Sequence, residues 1–186
     1  MIRPNYLTAL RLILAVTCAI ILVCAKTLQT YLLCLILFVI AAFTDLWDGR
    51  IARRFKMESK LGKIADPIAD KVLALSAFFT IAYRGVYSVW WVVPIAIREV
   101  SVTLARLQLV KEGYVVSAEW AGKLKATIQY VTISLAFVVL VLQDFFNNHF
   151  LYLTAQRGLI LFLILTNLIT LYSGVLFFSK LKQVRT

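Results

Sequence analysis

The chain has 186 residues, a formal net charge of +11, 62% hydrophobic residues and a mean hydropathy of +0.87. Ordinary globular domains are about 45–50% apolar, so composition excludes a typical soluble domain, and with it a soluble nucleic-acid binder. The Lys and Arg excess reads instead as a positive-inside signal and as contacts to anionic lipid.

A single domain over 1–186 is expected. Crossing the hydrocarbon core takes about 20 apolar residues, and six stretches qualify: 6–25, 30–45 and slightly beyond, 67–83, 89–110, 123–142 and 159–178. No period-two alternation persists, which argues against a transmembrane barrel. The expected fold class is therefore all-α, an integral membrane bundle of six helices. Arg50, Arg53, Arg54, Lys56, Lys60 and Lys63 lie between spans two and three, and Lys180, Lys182 and Arg185 in the tail. This basic side is expected to be cytoplasmic, with both termini. The first span lacks a clear small-residue cleavage site and is expected to stay as an anchor.

The N-terminus reads Arg3-Pro4-Asn5-Tyr6-Leu7-Thr8-Ala9-Leu10-Arg11. Pro4 and Asn5 suggest a helix start with Asn5 as a cap. Asn5, Thr8 and Arg11, three apart, can share one face. Cys18, Cys24 and Cys34 fall in apolar runs without Cys-x-x-Cys or His partners and are expected to be buried thiols.

Four aspartates, Asp45, Asp48, Asp66 and Asp70, fall within 26 positions of a chain with nine acids. Spacings of three and four put each pair on a common helix face. If the two helices meet, four carboxylates converge near a membrane surface. Two carboxylates about 4 Å apart repel by roughly 4 kcal/mol at an effective dielectric near 20. Such a set calls for cations, and oxygen-only ligands favour hard ones such as Mg²⁺ or Mn²⁺. Gly49 lets a phosphate or nucleoside approach the backbone closely. Arg53, four residues on, offers planar donors to a diphosphate. Asp66 before Pro67 reads as the cap and first residue of the third helix.

Span four carries Arg98, Glu99 and Arg106 in an otherwise apolar run. A charge at mid-membrane costs about 2.5–3.5 kcal/mol on insertion scales, so such groups face partners or a cavity. They read either as a structural ion pair or as an anion pocket in which Arg98 and Arg106 hold a phosphate and Glu99 orients them. Span five opens Trp120-Ala121-Gly122-Lys123-Leu124-Lys125, an interfacial Trp with snorkelling lysines in the plain reading. Residues 143–157, with Asn147, Asn148 and His149, are expected to form a polar connection. Thr166, Asn167 and Thr170 in span six suit helix–helix hydrogen bonds.

No Ser-His-Asp set, Cys-His set or Walker loop is present, which leaves phosphoryl transfer by acids, metal and basic groups. Two ions on the four aspartates would clamp a diphosphate and stabilise the attacking and leaving oxygens. The string from Asp45 to Asp70 has the pattern D-x2-D-G-x2-A-R-x8-G-x3-D-x3-D. In this the chain resembles the CDP-alcohol phosphatidyltransferases. The resemblance implies a six-helix membrane fold, commonly a homodimer, in a bacterial inner membrane with the site facing the cytoplasm. It implies CDP-binding contacts from Asn5, Thr8, Asp45, Asp48, Gly49, Ala52, Arg53 and Gly62. It also implies metal ligation by Asp45, Asp48, Asp66 and Asp70, with Asp70 as catalytic base.

Asp66-Pro67-x-Ala69-Asp70-Lys71, Arg98-Glu99 and Gly122-Lys123 are similar to the branch that passes a phosphatidyl group from CDP-diacylglycerol to glycerol 3-phosphate. That branch shows a Gly-Lys-x-Lys-Thr-x-x-Gln pattern, here one residue longer before Thr127, with Gln129 in register. The resemblance implies Arg98, Arg106 and Lys123 as ligands of the acceptor phosphate. A cardiolipin-forming branch using phosphatidylglycerol is the alternative acceptor reading. A divalent-cation transporter is the alternative without catalysis.

Overall fold

A computed structural model describes 4–55, 62–112, 120–146 and 149–185. Within these segments, the side chains of 4–9, 11, 43–55, 62–67, 110–111, 146 and 183–185 lie outside the described set. Six helices follow in order: α1 Pro4–Cys24, α2 Leu28–Phe55, α3 Gly62–Tyr83, α4 Val93–Lys111, α5 Trp120–Phe146 and α6 His149–Arg185. A short 3-10 turn, Val89–Trp91, precedes α4, with the Ser88 side chain accepting from the Trp90 N–H at its start. No strand occurs among the described residues.

α1 packs on α2 and α3, α5 on α2 and α6, and α4 on α6. Buried positions recur at helical spacing: Ala15, Cys18 and Leu22 on α1, and Ala74, Ala77, Phe78 and Ile81 on α3. Small residues at such a seam let two backbones approach, the usual device where lipid gives no hydrophobic drive between helices. Phe38 of α2 fills the centre, its ring 5.8 Å from those of Tyr130 and Phe137 on α5. Trp120–Phe145 and His149–Lys182 are long and apolar enough to cross a membrane; Leu12–Cys24 and Leu28–Ala42 are shorter apolar helices.

Polar side chains tie one end of the bundle. Arg84 donates to the Ala25 carbonyl at 3.0 Å and to the Tyr31 hydroxyl at 2.6 Å, and Gln156 donates to the Val86 carbonyl at 2.7 Å. Tyr87 donates to the Phe78 carbonyl at 3.0 Å, and burial pushes its phenol up, keeping it a donor. This end gives a common origin for depth. Asp45 follows Tyr31 by fourteen residues, Asp70 precedes Arg84 by fourteen, and Thr170 follows Gln156 by fourteen. At 1.5 Å per residue, each lies about 21 Å along its helix from that end.

Several boundaries differ from expectation. α2 does not stop near Asp45 but continues to Phe55, so Gly49 and Arg53 are helical. Hydropathy falls at the charges, yet Ala, Leu and Arg are good helix formers and carry the helix on. α3 starts at Gly62, not at Pro67, so Asp66 is inside the helix instead of capping it. Pro67 in that position forgoes the bond to the carbonyl of residue 63, and a proline ring there crowds that carbonyl. α1 starts at Pro4, with Asn5 inside its first turn and not its cap. The expected connection over 143–157 is helical apart from 147–148, which lie outside the described residues. Tyr152 and Ala155 pack against the core there, and Gln156 is satisfied by Val86. Cys18 and Cys34 are buried, but Cys24, near the α1 terminus, is exposed.

Candidate active site

Of the four aspartates, only the Asp70 side chain lies within the described set. It is half-buried on α3, next to the fully buried Ala69. The expected roles of the Asn5, Thr8, Asp45, Asp48, Gly49, Ala52, Arg53, Gly62 and Asp66 side chains lie outside the described residues. Their helical backbone still fixes spacing. Asp45 and Asp48 are three apart on α2, Asp66 and Asp70 four apart on α3, and Asp45 and Asp70 sit at matching depth. That all-oxygen donor set suits a hard divalent cation. Among the described residues, no three metal-binding side chains cluster.

At the same depth, α4, α5 and α6 build a buried polar cluster around Glu99. One Glu99 carboxylate oxygen, Oε1, accepts from Lys125 Nζ, from Arg98 at 3.2 Å and from Gln129 at 3.3 Å. The Glu99 side chain is 3% exposed and that of Lys125 9%. Gln129 also donates to the Thr170 hydroxyl at 3.3 Å, and Arg98 donates to the Ser173 hydroxyl at 2.9 Å. Lys125, Gln129 and Thr132 are four and three apart, one face of α5 turned to α6. Thr132 and Thr166 share a 2.7 Å hydrogen bond, and Asn167 donates to the Trp91 carbonyl at 3.1 Å. The three polar groups read in span six are thus helix–helix contacts.

Arg106 stands one helical turn beyond Thr103. Its guanidinium lies 5.7 Å over the Phe177 ring, its Nε is buried without a partner, and no carboxylate pairs with it among the described residues. Lys71 of α3 lies within electrostatic range of Glu99, Arg98, Arg106 and Asp70. The last aspartate of the string and the α4 cluster are therefore parts of one electrostatic unit. Four cations there, Lys71, Arg98, Arg106 and Lys125, meet two described acids, Glu99 and Asp70. Arg106, unpaired with any described acid, can donate to an anionic ligand such as a phosphate monoester, which carries about −1.5 to −2 at pH 7.

The structure brings Arg98 and Arg106 into this unit but leaves Lys123 on an exposed face of α5. Glu99 holds Arg98 and does not pair with Arg106. Sequence reasoning placed Lys71, Lys125 and Gln129 in motif strings but gave them no role at the site. The available signal was Glu99 itself: a lone acid in an apolar run needs cations, here Arg98 beside it and Lys125 from α5.

Residues 1–179 match the model of the CDP-alcohol phosphatidyltransferase family. The chain belongs to that family. It is similar to the probable phosphatidylglycerophosphate synthase of Mycobacterium tuberculosis (strain ATCC 25618 / H37Rv), at 41% identity over 99 residues, 53% of this chain and 47% of that protein. It is 39% identical over 99 residues to the CDP-diacylglycerol–glycerol-3-phosphate 3-phosphatidyltransferase of Bacillus subtilis (strain 168), covering 53% of this chain and 51% of that one. The protein of the same name from Blochmanniella floridana is 34% identical over 136 residues, 70% of each chain. The matched stretch thus spans about half the length of the first two relatives.

Proposed function

We propose that this protein transfers the phosphatidyl group of CDP-diacylglycerol to glycerol 3-phosphate, giving phosphatidylglycerophosphate and CMP. Family membership and the names of its relatives support the reaction class. The observation that carries the acceptor is Arg106, whose Nε is buried without a partner and whose guanidinium pairs with no described acid, within electrostatic range of Lys71 beside Asp70. Glycerol 3-phosphate brings a dianion to that guanidinium; serine or free inositol would bring none.

In this reading the acceptor phosphate sits against Arg106, with Arg98 and Lys71 near it. Lys123 would act at the entrance. The acceptor hydroxyl attacks the phosphorus that bears diacylglycerol. A new P–O bond forms, the bond to the CMP oxygen breaks, CMP leaves, and Asp70 takes the hydroxyl proton. Asp45, Asp48, Asp66 and Asp70 would hold one or two Mg²⁺ or Mn²⁺ ions, which when bound neutralise the diphosphate and the attacking and leaving oxygens. The chain's own contribution is positioning and electrostatics: α2 and α3 carry the donor side, and α4 and α5 the acceptor side.

The surface supports a bilayer setting. Leu161 is 68%, Leu168 62% and Val175 65% exposed along α6, with Ile13 62% and Ile20 56% on α1. Water-soluble monomers rarely show such continuous apolar faces. We place the site at the cytoplasmic leaflet of a bacterial inner membrane because the basic residues collect at that end. A homodimer is proposed on the family resemblance.

The test is CMP release by purified protein from CDP-diacylglycerol, offered glycerol 3-phosphate, phosphatidylglycerol, serine or inositol phosphate in turn. Release only with glycerol 3-phosphate supports the assignment. Release only with phosphatidylglycerol moves it to the cardiolipin-forming branch.

A further inference from the structure

Helices α4 and α6 meet along one seam, and both arginines of α4 are seated in it. On α4, Val102, Ala105, Arg106 and Leu109 fall on a single helical face. On α6, Ser173, Phe177 and Leu181 recur every four residues. Val102, Leu109 and Phe177 are buried there as a small apolar cluster of their own, with Ala105 and Leu181 packed against it. Arg106 is thus a half-buried cation set in an apolar seam. Such a charge needs a partner or a ligand.

The two arginines are held differently. Arg98 gives its terminal nitrogens to Glu99 at 3.2 Å and to Ser173 at 2.9 Å. Arg106 has no carboxylate among the described residues; its guanidinium carbon lies 5.7 Å over the Phe177 ring. That is within the reach of about 6 Å over which a ring's quadrupole attracts a cation. The difference matters for a binding group. A carboxylate would cancel the charge and take the in-plane N–H donors that a phosphate uses. A ring attracts the cation and leaves its charge whole. The aliphatic neighbours of Phe177 ask only for apolar volume, which a leucine would supply; Arg106 is the neighbour that asks for a ring.

We infer that Phe177 is a positioning residue for Arg106. It holds the guanidinium in the seam without neutralising it, so that the charge stays available to the phosphate of the acceptor alcohol. The inference rests on the acceptor reading above and adds to it a residue that touches no substrate. A guanidinium that left its place part of the time would bind that phosphate more weakly by the fraction lost. The donor lipid, held on α2 and α3, would not feel the change.

The test is a fluorinated series in the purified full chain in detergent. Phe177 is replaced by 4-fluoro-, 3,5-difluoro- and 3,4,5-trifluorophenylalanine, which nearly keep the shape of the ring and drain the negative potential of its face. KM for glycerol 3-phosphate should climb with each step, about three- to thirtyfold by the last, the worth of a cation–π contact. The parent's kcat, Tm and KM for CDP-diacylglycerol should be kept. The same series at Phe178, whose ring is 5.5 Å from that of Phe177 but which does not touch Arg106, should be flat. In the Arg106→Ala background the Phe177 series should also be flat, because the ring acts through the arginine. A KM indifferent to fluorine at Phe177, a rise shared equally by both substrates, or a stepwise rise that persists in Arg106→Ala would each overturn the inference. A parent that releases CMP with glycerol 3-phosphate yet gives a flat series overturns this inference alone. A parent without such release overturns the acceptor reading, and this inference with it.

Discussion

Replacing Glu99 with Gln keeps the shape of the cluster and removes its one negative charge. The consequence can be worked from the contacts. Lys125 and Arg98 both donate to the same carboxylate oxygen of Glu99, and the Lys125 and Glu99 side chains are 9% and 3% exposed. In Glu99→Gln two cations are left at a buried position with a neutral amide between them. Breaking one buried ion pair by removing a partner costs about 3–5 kcal/mol. Lys125→Met should cost less, about 1–3 kcal/mol, because Glu99 keeps hydrogen bonds from Arg98 and Gln129. The double variant should recover part of the Glu99→Gln loss, giving a coupling of about 0.5–3 kcal/mol in a double-mutant cycle. For a chain of this length a loss of 3–5 kcal/mol lowers Tm by about 6–20 °C. Thermal unfolding of detergent-purified protein, followed by size-exclusion chromatography, reads this directly. A Glu99→Gln variant within about 1 °C of the parent would refute the buried-pair reasoning, since that corresponds to well under 1 kcal/mol.

Asp70→Asn should keep the parent's Tm and lose turnover, as a general base contributes about 10²–10⁴-fold; near-parent CMP release would remove Asp70 from that role. Arg106→Ala should raise KM for glycerol 3-phosphate about ten- to a hundredfold, the worth of a charged hydrogen bond, with little change in KM for the lipid donor. Lys123→Ala, on the exposed face, should raise it less; the reverse order in steady-state kinetics would put the acceptor phosphate at the α5 surface. Dialysis against EDTA should abolish activity and added Mg²⁺ or Mn²⁺ restore it; full activity after chelation would count against a metal on the aspartates.

The helices were legible because long apolar runs interrupted by charge, without period-two alternation, leave few alternatives. Their ends were not. The α2 helix passes through Asp45, Asp48 and Arg50 to Phe55 because hydropathy marks where the apolar run stops, not where backbone hydrogen bonding stops. The 143–157 segment looked like a loop for the same reason, while Tyr152 and Ala155 use the inward face of its helix.

The aspartate string stands out by spacing alone, though of its four side chains only that of Asp70 lies within the described set. The cluster around Glu99 was only half readable. Lys123 and Lys125 are two residues apart and so point about 200° from each other on a helix. Nothing local decides which turns inward. Glu99, 26 residues before Lys125 and on another helix, decides it. Ser173 was equally hidden, because its partner Arg98 is 75 residues away, and Thr170 was legible as a helix–helix contact but not its partner Gln129, 41 residues away.

The central claim is tested most directly by the identity of the lipid product. Purified protein given CDP-diacylglycerol and isotopically labelled glycerol 3-phosphate should yield one phospholipid carrying the label, with CMP released mole for mole. Phosphatidic acid in its place, or CMP released while the label stays water-soluble, would contradict the account.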